Sequence, residues 1–233
     1  MNKDRLVEIK KGETGTGLLI ENDGFMQIKE NPFKMNEAAG EGGGYCPDPF
    51  IVDVVLQKFG IKNANGRIYP ERVLKRQVEI YMEKIRNKNA IGETNHPAES
   101  VIDLSRTSIN IVECHWEGHT LVGKMEILVS PGFRKHGIIS CCADEIANLL
   151  LHGIKIGVSS RGLGTVSQEG GVLIVGDDYE LVCWDVVSEP STPGAWISTK
   201  GKEELSPYME SKENSKPTID EKVSKIEKIL EIL

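Results

Sequence analysis

Hydrophobic residues recur at helical spacing in two segments of the chain. In the first, one apolar face is formed by Val73, Leu74, Val78, Tyr81, Met82 and Ile85. Pro70 suits the first turn of this helix, because proline has no N–H to leave unpaired there. The second segment, residues 138–152, reads IISCCADEIANLLLH and is followed by Gly153, a residue typical of helix ends. Both segments predict helices that pack against another element.

Runs of β-branched and aromatic residues predict strands between and after these helices. FIVDVVLQKFG at residues 50–60 predicts a buried strand, and residues 107–128 predict a hairpin joined at Glu117 and Gly118. Three further strand segments follow the second helix, with a Glu-Gly-Gly turn among them: IKIGVSS, TVSQEGGVLIV and YELVCWDVV. Strands surrounded by at least two helices indicate a mixed α+β domain.

Composition divides the chain into four parts. Residues 1–49 are predicted to be irregular and include a glycine-rich loop, EAAGEGGGYCPDP. Residues 50–198 form the main domain, residues 199–217 a polar linker, and residues 218–233 an amphipathic helix. The apolar face of that helix carries Val223, Ile226, Ile229, Leu230 and Leu233. Two roles fit it: docking to a helical partner, or folding back onto the main domain.

Length, charge and cysteine content narrow the class of protein. A chain of 233 residues that is 39% hydrophobic can bury one sizeable core. A net charge of −7 excludes a general attraction to nucleic acid or to anionic membranes. Five cysteines without metal-type pair spacing indicate a reducing compartment. No segment has the apolar length of a signal peptide or a membrane span, so we expect a cytoplasmic protein.

The segment GVSSRGLG at residues 157–164 contains the strongest candidate for chemistry. A catalytic serine needs a base within hydrogen-bond reach, which directs attention to the histidines. His96 is followed by a proline that restricts its backbone to extended conformations. Serines beside glycines also occur in turns, where their hydroxyls bond to the local backbone. The G-x-S-x-G pattern fails for both serines, at Arg161 and at Val158, which argues against an α/β-hydrolase.

Metal binding is not expected. His115 and His119 have the spacing of a zinc-binding pair only if they lie on a helix. Gly118 and the hairpin predicted around it argue against a helix there.

Four segments, in this order, resemble the prohead proteases of tailed bacteriophages, in the branch typified by the T-even phages: NGRIYPERVL (65–74), IGETNHP (91–97), GVSSRGLG (157–164) and DVVSEPSTPGAW (185–196). The resemblance spans roughly residues 50–198. It implies a serine protease of the herpesvirus assemblin type, in which a β-barrel is surrounded by helices, and it implies no cofactor.

The resemblance also implies a role for individual residues. Ser159 corresponds to the nucleophile of the family and His96 to its general base. Asp185 corresponds to the acid that orients the histidine. The nearest competing carboxylates are Glu93, Asp103 and Glu189.

The neighbours of Ser159 are candidates for the substrate pocket. Gly157 and Gly162 carry no Cβ, so they are expected to let a substrate backbone approach the serine. Ser160 and Arg161 are expected to shape the pocket wall or to help stabilise the oxyanion. The loop at residues 188–196 is another candidate for the oxyanion donors.

The substrates implied by the resemblance are the scaffold (core) proteins and the major capsid protein, cleaved inside the assembling prohead in the host cytoplasm. Cleavage is expected after glutamate, with a hydrophobic residue two positions earlier. Triplets that fit end at Glu30, Glu189 and Glu231, and self-cleavage is hypothesised at Glu30 or Glu231. A homo-oligomer remains open. The alternative is a catalytically inactive structural component or binding module of the prohead core.

Overall fold

The computed structural model describes residues 7–21 and 44–198, which fold into two sheets and three α-helices. The strands of the first sheet are β1 (Gly15–Ile20), β3 (Arg67–Ile68), β7 (Gly157–Glu169), β8 (Val172–Val175) and β9 (Glu180–Val187). Their order is β1-β7-β8-β3, and β9 also pairs with β7, on the edge opposite β1. The pairing is antiparallel except between β3 and β8.

The second sheet is antiparallel and has the order β10-β2-β6-β5-β4. Its strands are β2 (Ile51–Lys58), β4 (Ile91–Glu93), β5 (Thr107–Glu117), β6 (Thr120–Ile127) and β10 (Ile197–Ser198). The predicted hairpin is confirmed between β5 and β6, where Gly118 has a φ of 60°. That conformation costs glycine no side-chain clash.

Helix α1 (Glu71–Arg86) confirms the first helical prediction. Its N-cap is Pro70, and the predicted face is buried at Val73, Leu74, Val78 and Tyr81. Tyr81 packs edge-on against Trp184 of β9, with 4.7 Å between ring centroids. This contact holds the helix against the sheet that carries β7 and β9.

The other two helices differ from the sequence prediction. Helix α3 (Cys142–Leu151) begins four residues later than predicted, because Asp144 accepts hydrogen bonds from the backbone N–H groups of Ser140 and Cys141 and caps the first turn. A short helix that the sequence did not indicate, α2 (Pro131–His136), precedes it and is capped by Ser130. None of the helices in residues 7–21 and 44–198 is long and apolar enough to cross a membrane.

The mixed α+β class is confirmed, but the strands in the described part of the chain do not close into the expected β-barrel. The two sheets meet at the isolated bridges Thr94–Val186 and Gly157–Trp196 rather than through a continuous ladder. The prediction of an irregular segment up to residue 49 is also wrong at β1, which pairs with β7 over six residues. The linker and the amphipathic helix predicted from residue 199 onward lie outside the described residues.

Candidate active site

Strands β7 and β9 bring Ser159 and Asp185 directly opposite each other. Residues in that relation have Cα atoms about 4.5–5.5 Å apart and side chains on the same face. Because side chains alternate along a strand, Ser159 and Arg161 point to one face of β7 and Ser160 to the other. The sheet therefore gathers a hydroxyl, a carboxylate and a guanidinium on one buried face.

His96 reaches this face from the segment that follows β4. Thr94 forms a bridge with Val186, and the Asn95 N–H donates to the Val186 carbonyl, which fixes the segment beside β9. The imidazole is fully buried, and its Nδ1 lies 2.7 Å from Asp185 Oδ2. Nε2 of His96 has no hydrogen-bond partner among the described residues. Asp185, rather than Glu93, Asp103 or Glu189, is thus the carboxylate that contacts this histidine.

Asp185 is held in its charged form. Burial favours the neutral acid, but the hydrogen bond and charge of His96, the charge of Arg161 and the Glu93 N–H outweigh it and lower the pKa of Asp185. The Glu93 N–H donates to Oδ1 over 2.9 Å. A carboxylate that stays ionised can accept a hydrogen bond from imidazole Nδ1–H, which leaves Nε2 as the unprotonated nitrogen.

Arg161 binds carboxylates and gives no described contact to Ser159. Its guanidinium lies 2.9 Å from Asp185 Oδ2 and 3.1 Å from Glu93 Oε1, and it donates to the Glu99 carbonyl over 2.7 Å. Both carboxylates and the guanidinium are fully buried. A second guanidinium, that of Arg106, lies 3.9 Å from Glu93 Oε2 and adds positive charge beside the two carboxylates.

The hydroxyl of Ser159 contacts the backbone of residue 21. Ser159 Oγ donates a hydrogen bond to the Glu21 carbonyl oxygen, and Ser159 is only 1% exposed. Strand β1 ends one residue earlier, where Ile20 pairs with Arg161. The chain therefore presents one of its own peptide carbonyls to the candidate nucleophile.

The side chain of Glu21 enters a buried pocket beside that contact. Its Oε1 accepts hydrogen bonds from Arg67 Nη1 at 3.0 Å and from the Tyr69 hydroxyl. Its Oε2 accepts from Asn63 Nδ2 and Asn65 Nδ2, both at 2.6 Å, and from the Ser191 hydroxyl at 3.3 Å. Five side-chain donors thus converge on one carboxylate.

Comparison with known proteins assigns the chain to a family. The sequence profile of the prohead core protein serine protease family matches residues 13–206. The chain belongs to this family. It is 33% identical over 164 residues to the prohead core protein protease of Enterobacteria phage T4, across 69% of this chain and 73% of that protein. The solved structure of the bacteriophage T4 capsid assembly protease matches with a TM-score of 0.54 at 28% identity, over 60% of this chain and 82% of that one.

The predicted pocket residues Gly157 and Gly162 lie against other parts of the chain and not beside open space. A Cβ atom added at Gly157 would lie 2.6 Å from both Pro190 and the Ala195 carbonyl oxygen. A Cβ atom added at Gly162 would lie 2.4 Å from the Tyr179 ring and 2.7 Å from the Glu180 carbonyl oxygen. The protein's own chain fills the space beside both positions. Close packing, which was not evident from the sequence, therefore accounts for the two glycines. Ser160 lies on the opposite face of β7 from Ser159, near the Tyr179 hydroxyl.

Sequence reasoning missed Glu21 and the donors around it. The segment containing Asn63, Asn65 and Arg67 has the composition of a polar turn, and nothing local distinguishes a polar turn from a polar pocket. A signal for Glu21 was present, because Leu19-Ile20-Glu21 has the hydrophobic-x-glutamate spacing that the family resemblance implies. The loop at residues 188–196, a candidate for the oxyanion donors, contributes the Ser191 hydroxyl to the Glu21 pocket.

Proposed function

We propose that the protein is a serine endopeptidase that cleaves scaffold and capsid proteins inside the assembling prohead. Its family consists of prohead core serine proteases, and the T4 relatives are named a prohead core protein protease and a capsid assembly protease. The catalytic residues in this proposal are Ser159 as nucleophile, His96 as general base and Asp185 as the acid that orients the histidine.

One observation carries this proposal. The Glu21 carbonyl receives the hydrogen bond of Ser159 Oγ, directly across the sheet from the carboxylate that binds His96. A peptide carbonyl beside a buried serine brings an amide group to the proposed nucleophile. Attack requires the Oγ–H to turn from the carbonyl oxygen to His96 Nε2, which has no hydrogen-bond partner among the described residues. A serine that only stabilised a turn would bond to nearby backbone, whereas this contact joins residues 138 positions apart.

The reaction follows from these positions. The Ser159 proton moves to His96 Nε2 while Oγ forms a bond to the scissile carbonyl carbon. The imidazolium, stabilised by Asp185, then gives that proton to the leaving amine as the carbon–nitrogen bond breaks. In the second half, water adds to the ester carbon, the ester bond breaks, and Oγ recovers a proton through His96. One water is consumed for each peptide bond cut.

The same geometry supports self-cleavage at the bond that follows Glu21. This bond belongs to a glutamate with Leu19 two positions earlier, so it fits the cleavage pattern expected from the family resemblance. The earlier candidates, Glu30 and Glu231, lie outside the described residues. We therefore assign the first self-cleavage to Glu21.

The experiment that tests the function is digestion of purified prohead scaffold protein. The wild-type chain and Ser159→Ala are each incubated with scaffold, and fragments are followed by gel and mass spectrometry. We expect fragments ending in glutamate with wild type and none with Ser159→Ala. Ser167→Ala, which removes an exposed hydroxyl from the same strand, serves as control and should cut normally. Equal inertness of wild type and Ser159→Ala would favour a structural core component instead.

A further inference from the structure

The buried pocket around the Glu21 carboxylate has a composition suited to one kind of ligand. Every side-chain group that contacts the two oxygens of Glu21 is a hydrogen-bond donor, and one of them carries a full positive charge: Asn63, Asn65, Arg67, Tyr69 and Ser191. Each of these residues is at least 90% buried. Two amide NH₂ groups and a guanidinium, with no carboxylate oxygen besides those of Glu21, fit a carboxylate, and only the two hydroxyls could accept from the NH₂ group of an amide.

The donors are held in place by the backbone of the same turn. Asn63 Oδ1 accepts from the backbone N–H groups of Asn65 and Arg67, at 3.1 and 2.9 Å. The Ala64 N–H donates to the Ser191 carbonyl at 3.0 Å, which joins this turn to the loop after β9. The pocket is therefore preorganised by contacts that do not involve Glu21.

Arg67 also binds the backbone of the segment that occupies the site. Its guanidinium donates to the carbonyls of Ile20, at 3.1 Å, and of Ile9. Burial is the largest single influence and lowers the pKa of Arg67, but the charges of Glu21 and Tyr69 and the hydrogen bond to Glu21 together outweigh it, so the net shift is upward. A buried guanidinium that loses its carboxylate is costly, so the vacated pocket favours another acidic side chain.

Strand β1 gives the orientation of the occupant. Residues 15–20 pair antiparallel with β7, and the carbonyl at Ser159 follows directly after them. A substrate that takes the place of β1 would add as a strand to the same edge of β7. Its side chain at the position of Glu21 would then enter the pocket.

We infer that the polar turn Asn63–Arg67, with Tyr69 and Ser191, is the pocket that selects glutamate as the residue before the cleaved bond. Arg67 is the residue that recognises its charge. This inference rests on the proposed function, since it assigns the specificity of the Ser159 site. Aspartate is one methylene too short to reach all the donors, and glutamine turns an amide N–H₂ towards them.

The test compares peptides that differ at one position. Ten-residue peptides of the sequence TGLLIENDGF, residues 16–25, carry Glu, Gln or Asp at the position of Glu21. The enzyme is purified as the full-length chain, allowed to cleave itself, and then assayed for kcat/KM on each peptide. We expect the Glu peptide to be cut at least about 100-fold more efficiently than the others.

The decisive variant is Asn63→Asp. It keeps the oxygen that accepts from the turn backbone but replaces the donor to Glu21 Oε2 by a carboxylate oxygen. The new carboxylate repels glutamate and accepts from a glutamine amide, so the Glu-to-Gln ratio should fall at least about tenfold. Asn65→Asp tests the same idea independently if the first variant does not fold. Asn89→Asp, an exposed asparagine outside the pocket, is the matched control and should leave the ratio unchanged.

The possible outcomes distinguish a failure of the pocket assignment from a failure of the proposed protease function. Ser159-dependent cutting with an unchanged Glu-to-Gln ratio in the folded variants would overturn the pocket assignment and leave the protease intact. No Ser159-dependent cutting of any peptide would overturn both. A pocket that only held β1 in place would alter the melting temperature without altering the ratio, and this result also counts against the inference.

Discussion

At the scale of single residues, Asp185 connects the two parts of the site. It contacts His96 on one oxygen, accepts the Glu93 N–H on the other, and lies against the Arg161 guanidinium. Its position opposite Ser159 follows from strand register alone. A change at Asp185 therefore acts on the histidine without moving the serine.

Asp185→Asn should lower the rate of self-cleavage by about 10³–10⁴-fold. The amide cannot stabilise an imidazolium, and it can hold the wrong imidazole tautomer. The rate is measured by intact mass over time. Asp177→Asn, which changes an exposed aspartate, should cleave at the wild-type rate. A loss of less than tenfold in a folded Asp185→Asn protein would exclude Asp185 from the triad.

At the scale of elements, Asp144 joins α2 to α3. Burial favours its neutral form, but hydrogen bonds from the backbone N–H groups and hydroxyls of Ser130 and Ser140 outweigh it and lower the pKa of Asp144 from 3.8 to about 2. A carboxyl whose pKa is lower in the folded state adds stability above its ordinary pKa. That stability is lost as the pH falls towards the folded value.

Asp144→Asn should reduce the free energy of unfolding by about 2 kcal/mol at pH 7, the amount that corresponds to this pKa shift. The gap to wild type should shrink as the pH falls from about 4 to about 2. Denaturant unfolding at both ends of that window measures it. Glu145→Gln changes an exposed neighbour in the same turn and should have a small effect. A gap that is constant with pH would contradict the assignment.

Strand β1 behaves as part of the fold rather than as an appended tail. Leu19 is fully buried in the main core, and its strand pairs with β7. Leu19→Ala should therefore cost about 2–5 kcal/mol of unfolding free energy, measured in a Ser159→Ala background that stays uncleaved. Val7→Ala, at a side chain that is 73% exposed, is the control. Equal stability of the two variants would mean that β1 does not contribute to the core.

The sequence predicted elements whose signal is local. The apolar face of α1, the β5–β6 hairpin and the strand at Ile51–Lys58 depend on periodicity and turn residues that lie within each segment. The start of α3 was misplaced, because Asp144 accepts from the backbone N–H groups of Ser140 and Cys141, which therefore lie before the helix and not inside it. Strand β1 was missed because it is defined by pairing with a strand more than 140 residues away.

The candidate site likewise contains residues that could be predicted from the sequence and residues that could not. The resemblance named Ser159, His96 and Asp185, whereas the separation of Arg161 and Ser160 onto opposite faces became evident only with the extent of β7. The Glu21 pocket was not predictable locally, since it combines β1, the turn at Asn63 and the loop at Ser191. A contact between distant segments leaves no periodic trace in any one of them.

At the scale of the whole molecule, the first sheet combines the proposed catalytic residues with the proposed first substrate. Strand β7, which carries Ser159, pairs on one edge with β9, which carries Asp185, and on the other with β1, which leads to Glu21. In the proposed mechanism, the uncleaved chain therefore holds a buried nucleophile whose site is occupied by its own residues. Removal of β1 would open that edge of β7 to an incoming strand.

The most direct measurement is the mass and N-terminal sequence of the chain after incubation. The account predicts that wild-type protein gives a product that begins at Asn22, while Ser159→Ala alone keeps all 21 preceding residues. Mixed with wild type, the Ser159→Ala chain should be cut at the same bond. A wild-type chain that keeps the bond after Glu21 intact, or a Ser159→Ala chain that cuts it unaided, would contradict self-cleavage by Ser159 after Glu21.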